Sequence, residues 1–343
     1  MASLEMWRYV ISAVAAASFC LLIPALILPY LMRAFRKRSF MQVENYAGRK
    51  VSLGLGFVWP LWGCSVVLFA LLLPTFYNGL PRTTSSFALF GTGSIVSYAI
   101  AAGAVFAFGL IDDIGGSKSS RGFKGHLKAL AHGRLTTGAL KLFGIGIAAL
   151  LLSYRLISWN RPAPVGPYSS TLAWWIVAVI LMGGSIALSA NFVNLCDLRP
   201  GRATKVSMAL LVVGFLWRII SMLLSGHNES LYLSVITEFA VLLIFLGPMY
   251  VTLLYDLQEQ GMLGDAGANP SGFIAGAYIV SHFGLVGLIV YFVIMLALNL
   301  ISEKVSFSRV IESNPLLSRL DLIGRIKGGE LAGSPTDDKK GAV

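Results

Sequence analysis

The chain has 343 residues, of which 56% are hydrophobic and 13% are charged, whereas about a quarter of the residues in an ordinary soluble domain are charged. With a mean hydropathy of +0.75, this composition excludes a water-soluble globular protein. The three cysteines form no CxxC pair, which excludes a disulfide framework and a cysteine-based zinc site. The net charge of +11 has to be interpreted from its distribution along the chain.

Apolar stretches long enough to cross a membrane, about 20 residues each, recur along the chain. They cover residues 9–32, 53–76, 87–111, 140–157, 171–195, 206–224 and 231–255. The first is too long for a signal peptide and lacks its basic start, so we expect it to be retained. The tract 273–301 is longer than one crossing, and its central Ser-His-Phe-Gly favours two short helices over one tilted helix. The expected fold is all-α: a polytopic integral membrane protein with about nine transmembrane helices.

Basic residues are concentrated in alternate loops. Segments 31–50, 112–141 and 196–205 hold six, six and three basic residues against one, two and one acidic residues. The intervening loops hold few charges, so the positive-inside rule predicts cytoplasmic basic segments and an external N-terminus. The same charge suits anionic lipid headgroups or phosphorylated substrates. Nucleic-acid binding is not expected, because no basic domain with interleaved aromatic residues stands outside the membrane.

Two regions are expected. Residues 1–302 form the transmembrane domain, and residues 303–343 form a cytoplasmic tail. Apolar residues between positions 305 and 325 predict a short amphipathic helix, on the membrane surface or against a partner. The polar end of the tail is expected to be disordered.

The candidate site is a set of polar residues at the predicted cytoplasmic helix ends. The third helix ends at Asp112-Asp113, and Gly264-Asp265 follows the seventh. The fifth helix ends with three polar residues spaced along one helical face, which are Asn191, Asn194 and Asp197. Each motif alone is also typical of a solvated loop, a turn or a helix cap. Together, carboxylates amid Lys and Arg suit magnesium-assisted phosphoryl transfer.

This ordered set, with Lys141 in a cytoplasmic loop, resembles the polyprenyl-phosphate N-acetylhexosamine-1-phosphate transferases, the family that includes phospho-N-acetylmuramoyl-pentapeptide transferase (glycosyltransferase family 4). The resemblance covers roughly residues 9–302. It implies a multi-pass enzyme of the cell membrane that acts in cell-wall or surface-polymer synthesis. Such an enzyme moves a sugar phosphate from a UDP-sugar to polyprenyl phosphate at the cytoplasmic face, releases UMP and uses Mg²⁺. It leaves open whether the chain is a homodimer.

The resemblance also implies roles for individual residues. Asp265 would be the principal Mg²⁺ ligand, and Asp197 would bind the metal or the nucleotide sugar. Asp112 and Asp113 would engage the polyprenyl phosphate, one of them as a candidate base. The remaining predicted substrate-binding residues are Asn191, Asn194, Lys141, Lys118, Arg199 and Arg202.

The chain departs from the family pattern at several positions. Pro200 stands where the family has a second Asp that contacts the nucleotide base, and Met262 stands where an aromatic residue stacks on uracil. The histidine-rich cytoplasmic loop is missing, and the lysine after the Asp pair is displaced to Lys118. Arg199 and Arg202 are hypothesised to replace lost diphosphate contacts; the alternative is that they are positive-inside anchors.

These departures keep a second function open, a catalytically lapsed homologue that binds polyprenyl phosphate as a scaffold or regulator. A transporter is disfavoured, because it would place ionisable residues or broken helices near the bilayer midplane. Two ionisable residues within spans, Arg218 and Glu238, lie towards the outer ends of their helices. We expect them to pair or to reach outward in a structural role.

Overall fold

The computed structural model describes residues 2–76, 95–115, 132–133, 136–159, 172–224 and 231–325. Eleven α-helices occupy most of this part of the chain. The long ones are α1 (Ala2–Phe35), α2 (Val58–Phe76), α3 (Ile95–Gly115), α4 (Thr137–Trp159), α5 (Leu172–Cys196), α6 (Arg202–Leu224), α7 (Leu231–Leu257), α8 (Gly264–Val280) and α9 (Leu285–Ser302). Two short helices follow, α10 (Phe307–Ser313) and α11 (Pro315–Leu322).

Eight of these helices, α1 to α7 and α9, are long and apolar enough to cross a membrane. Their large apolar side chains are exposed over much of the surface, which a lipid environment accommodates and water does not. The expected helical fold is confirmed, with eight helices in the described part of the chain that could cross a membrane; the expected nine crossings and the orientation stay predictions.

Helix α8 is the centre of the molecule, and every residue from Ala266 to Val280 is buried. It packs mainly against α5, α3 and α6. Small residues permit this close approach: a Cβ atom at Gly272 would lie 2.5 Å from the carbonyl oxygen of Ser189. A helix surrounded in this way by other helices needs no exposed apolar face, which explains its content of Gly, Ala, Asn and Ser.

The tract 273–301 is divided into two helices, as predicted, because α8 ends at Val280 and α9 begins at Leu285. Helix α8, however, begins at Gly264, before the apolar tract. The polar segment that precedes the tract therefore becomes helical inside the protein, where neighbouring helices rather than lipid surround it.

A β-hairpin interrupts the otherwise helical fold. Strands β1 (Gln42–Glu44) and β2 (Lys50–Ser52) pair antiparallel, and the Asn45 side chain accepts hydrogen bonds from the backbone N–H groups of Ala47 and Arg49 in the turn. The expectation of an all-α fold missed this element. The hairpin continues into the connection between α7 and α8, since the Met262 N–H donates to the Ser52 carbonyl oxygen at 2.8 Å.

The tail also differs from expectation. The single amphipathic helix predicted between residues 305 and 325 is two helices, because Pro315 has no N–H to continue α10 and instead begins α11. The Asn314 side chain caps α11 by accepting from the backbone N–H groups of Leu316 and Leu317. Residues 326–343, where the disordered end is expected, lie outside the described residues.

The predicted pairing of the two ionisable residues within the spans is confirmed. Arg218 Nε lies 3.3 Å from Glu238 Oε1, and the Tyr278 hydroxyl donates to Glu238 Oε2 at 3.3 Å. This pair neutralises a charge that would otherwise be costly inside a membrane.

Candidate functional site

Three helices bring an ionic cluster together at one end of the helical bundle. The last turn of α3 carries Asp112, the first turns of α4 carry Lys141, and the first turn of α8 carries Asp265. The Lys141 ammonium lies 2.8 Å from Asp112 Oδ2 and 2.8 Å from Asp265 Oδ2. All three side chains are largely shielded from solvent, so these are strong ionic hydrogen bonds.

The cluster contains more acidic than basic groups. Asp112 and Asp265 lie within hydrogen-bonding reach of each other, and Asp113 adds a third carboxyl group beside them. Lys141 is the basic side chain that pairs directly with two of these carboxyl groups. Carboxylates held together in this way favour an additional cation or a shared proton.

Asp113 caps the buried helix α8. Its Oδ1 accepts from the Asp265 N–H and its Oδ2 accepts from the Ala266 N–H, both at 2.9 Å. A carboxylate at a helix N-terminus satisfies orphan backbone donors and interacts favourably with the helix dipole. Gly264 makes the approach possible: it has φ +62°, and a Cβ atom there would lie 2.7 Å from Asp113 Oδ2. Both Asp113 oxygens are therefore occupied by backbone donors.

Asp197 approaches the same cluster from the loop after α5. The Gly264 backbone N–H is a hydrogen-bond partner of its carboxyl group. Loss of solvent raises the pKa of Asp197 well above the usual range of an aspartate, and repulsion from Asp256 and Asp265 acts in the same direction. Burial and the neighbouring acids thus favour the protonated form of Asp197.

The two asparagines of the same motif make different contacts. The Asn191 side chain donates to Asn299 Oδ1 at 2.6 Å, which joins α5 to α9. Asn194 contributes its backbone carbonyl oxygen, which accepts from the Asp197 N–H at 3.0 Å. Their predicted contacts with a nucleotide sugar stay predictions.

A cleft opens beside Asp197. Its walls come from the hairpin, the loop between α5 and α6, and the connection between α7 and α8; the lining residues are Asn45, Tyr46, Val51, Asp197, Leu198, Arg199, Pro200, Asp256, Glu259, Gly261 and Met262. Pro200 and Met262, two of the departures from the family pattern, therefore line the same cleft. The Arg199 guanidinium lies 4.5 Å above the Tyr46 ring, an aromatic contact at the mouth of the cleft.

Arg199 and Arg202 are both engaged by the C-terminal tail. Arg199 pairs with Glu312 at 3.0 Å in a partly exposed contact. Arg202 is buried and forms a bidentate pair with Asp321, at 3.0 and 2.9 Å. Arg202 does not line the cleft, whereas Arg199 does. Lys118, the other predicted phosphate ligand, lies outside the described residues.

Three acidic residues around the cleft and its neighbouring loop were not predicted from the sequence. Asp256 is buried and accepts from the Gly201 N–H at 2.8 Å, while Glu259 accepts from the side chains of Asn45 and Tyr46. Both lie at the predicted cytoplasmic end of the seventh apolar stretch, and residues at such helix ends were the ones selected as site candidates. Asp321, in the tail, has no such signal.

In the described part of the chain, no three His, Cys, Asp or Glu side chains are arranged as a ready-made metal site. No protein-family model matches the chain, and no curated protein matches it. The resemblance to the transferases therefore rests on the motif residues alone.

Proposed function

We propose that this protein is a Mg²⁺-dependent phosphosugar transferase that moves a sugar phosphate from a UDP-sugar to polyprenyl phosphate and releases UMP. The observation that carries the proposal is the meeting of Asp112, Lys141 and Asp265, with Asp197 close by. These residues come from four separate elements, and a purely structural role would not require so many carboxylates in one place.

The proposal includes an orientation. With α8 counted as a ninth crossing, the acidic cluster would lie on the opposite side of the membrane from the N-terminus, and we propose that this side is the cytoplasmic face of the cell membrane. The basic segments of the sequence would then lie on the same face as the cluster, in agreement with the positive-inside rule. Both substrates are anionic, and the basic excess at that face would attract them.

In the proposed reaction, an oxygen of polyprenyl phosphate attacks the sugar-bearing phosphorus of the UDP-sugar. The new P–O bond forms as the pyrophosphate P–O bond breaks, and UMP leaves with the electron pair. The lipid phosphate is already largely ionised at neutral pH, because its second pKa is about 6. A general base is therefore not essential, which agrees with the capping role of Asp113. Lys141 would hold a phosphate oxygen, and Asp197 would orient the donor.

The residues fit a divalent cation in charge and in ligand type. Asp112 and Asp265 offer carboxylate oxygens, the ligands that Mg²⁺ prefers, and among the described residues a single ammonium, that of Lys141, pairs with both of them. Asp265 and Asp112, with Asp197, are the residues that would hold it, once Lys141 turns towards a phosphate. When bound, the ion would neutralise charge on the transferring and leaving phosphates.

A second candidate function rests on the cleft. Because Pro200 and Met262 replace the residues that hold the nucleotide base in the family, a lapsed homologue that binds polyprenyl phosphate as a scaffold or regulator is the alternative. The two functions differ in chemistry, since a scaffold binds the lipid phosphate without releasing UMP.

The deciding assay uses the purified full chain in nanodiscs with Mg²⁺, polyprenyl phosphate and a panel of UDP-sugars, and measures UMP. We expect release with at least one sugar, and a loss of about 100-fold or more in Asp265→Asn and Asp112→Asn, the scale seen when one electrostatic contact to a transition state is removed. Glu44→Gln, an exposed hairpin residue, is the matched control and should retain activity. UMP release by Asp265→Asn at the wild-type rate would refute the site, and lipid-phosphate binding without any UMP would favour the scaffold.

A further inference from the structure

The C-terminal segment 307–325, here named the C-terminal clamp, is bound to the loop that forms one wall of the cleft. The central contact is the bidentate pair of Arg202 with Asp321, in which both side chains are almost completely buried. Arg202 also donates from Nη1 to the Ser308 hydroxyl at 2.7 Å. One arginine thereby holds both helices of the clamp, since Ser308 belongs to α10 and Asp321 to α11.

Further contacts close the end of the clamp. Lys205 Nζ donates to the carbonyl oxygens of Leu320, Asp321 and Ile323, where the last turn of α11 has free acceptors. Arg325 donates from Nη2 to Asp321 Oδ1 at 2.8 Å and from Nε to the Pro200 carbonyl oxygen at 3.1 Å. The clamp therefore contacts the cleft wall itself, at Pro200.

The loop held by the clamp carries the functional groups of the cleft. Residues 197–200 line it, and the Gly201 N–H donates to Asp256 on the opposite wall. The loop thus lies between the clamp on one side and the cleft on the other. A movement of the clamp would shift Asp197 and Arg199 together.

The two ion pairs between clamp and loop differ in strength. Arg202 and Asp321 are buried, and removal of one partner from a buried pair leaves an uncompensated charge, which is strongly destabilising. Arg199 and Glu312 are partly exposed, and such pairs contribute little. Asp321 is therefore the anchor, and Glu312 provides a natural control.

We propose that the C-terminal clamp holds one wall of the cleft, the loop of residues 197–200, in place. Asp321 is the positioning residue, and it acts through Arg202. Arg202 is accordingly assigned to the wall and not to a phosphate. The proposal depends on the proposed function only for the identification of the cleft as the substrate site.

The accessibility of the native residue Cys196 measures whether this wall is held in place. Cys196 is buried next to Asp197, and Cys20 is buried in α1, away from the clamp. In the full chain with the exposed Cys64 changed to Ser, the rates of N-ethylmaleimide labelling at Cys196 and Cys20 are measured by mass spectrometry in nanodiscs. We expect Asp321→Asn to speed labelling of Cys196 at least tenfold and to leave Cys20 unchanged. Glu312→Gln should stay within threefold of wild type.

Two further variants make the test decisive. Asp321→Glu keeps the carboxylate and should return Cys196 most of the way to the wild-type rate, and Arg325→Gln leaves the anchor in place and should give an intermediate increase even if Asp321→Asn fails to fold. A Cys196 rate within twofold of wild type in both Asp321→Asn and Arg325→Gln would overturn the proposal. So would an equal rise at Cys20, which would indicate general loosening.

The catalytic readout separates this proposal from the proposed function. If wild type releases UMP, opening of the wall should raise the KM for the UDP-sugar more than it lowers kcat, and an unchanged KM despite an open wall would overturn the positioning role. If wild type releases no UMP, the transferase proposal fails, whereas the labelling result still decides whether the clamp holds the wall.

Discussion

Lys141→Met tests the ionic cluster most directly, because methionine keeps an unbranched side chain of similar size and removes the ammonium group. The Lys141 ammonium pairs with two carboxyl groups, Asp112 and Asp265, each at 2.8 Å. Without it, two acidic side chains within hydrogen-bonding reach of each other would lack their common counter-ion. Removing one partner from a buried ion pair costs about 3–5 kcal/mol. We expect the lower end of that range, because the carboxyl groups retain some exposure and one of them can take up a proton.

Thermal unfolding of the purified protein in nanodiscs, with and without millimolar Mg²⁺, provides the measurement. Lys141→Met should lower the midpoint clearly in the absence of Mg²⁺. If Asp112 and Asp265 can hold a cation, Mg²⁺ at ten times its Kd for the variant should stabilise the variant by about 1.4 kcal/mol, and should stabilise wild type less, because Lys141 competes with the cation there. Lys304→Met, at an exposed site in the tail, is the control and should behave as wild type. A variant as stable as wild type without Mg²⁺ would refute the account of the cluster.

Two further predictions concern the same region. Gly264→Ala should destabilise the protein by about 1–2 kcal/mol or more, because a left-handed backbone costs a residue with a Cβ atom that much and this Cβ would clash with Asp113. Gly146→Ala in α4, where a Cβ would meet nothing within 4 Å, should be neutral or slightly stabilising in the same melts, because alanine is the better helix former. Asp197→Asn should stabilise the empty protein at pH 8 and lose activity. Because the folded protein raises the pKa of Asp197, the native state binds the proton more tightly and stability falls as pH rises above the usual Asp value. The advantage of Asn should therefore shrink towards pH 4, and an advantage that is independent of pH would contradict the assignment.

The membrane helices could be predicted because their length and composition are local properties of the sequence. The break between residues 280 and 285 could be predicted for the same reason. The start of helix α8 could not be predicted, because its first turns contain Gly, Asn and Pro. These turns are helical in a position where α3, α5 and α6 surround them. The hairpin likewise depends on a distant contact, between Ser52 and Met262.

For the site, sequence reasoning identified residues more successfully than their contacts. Asp112, Lys141 and Asp265 were expected on one face and do meet. The roles of Asp113 and Arg202 could not be seen, because the first depends on the direction of two backbone N–H groups in α8. The second depends on a partner, Asp321, that is 119 residues away in the tail. Long-range pairing of this kind leaves no periodic pattern in a single sequence.

The same pairing bears on the choice between an active and a lapsed transferase. Pro200 and Met262 weaken the expected base contacts, yet the wall that carries Pro200 is held by Arg325, by the buried Arg202–Asp321 pair and, through Gly201, by Asp256. A cleft without a ligand would gain nothing from that much ordered charge, since buried ion pairs offer little net stability over apolar packing. The cost is reasonable only if the wall has to be held in one position. If the protein is the proposed transferase, Pro200 and Met262 would then alter donor recognition without abolishing it.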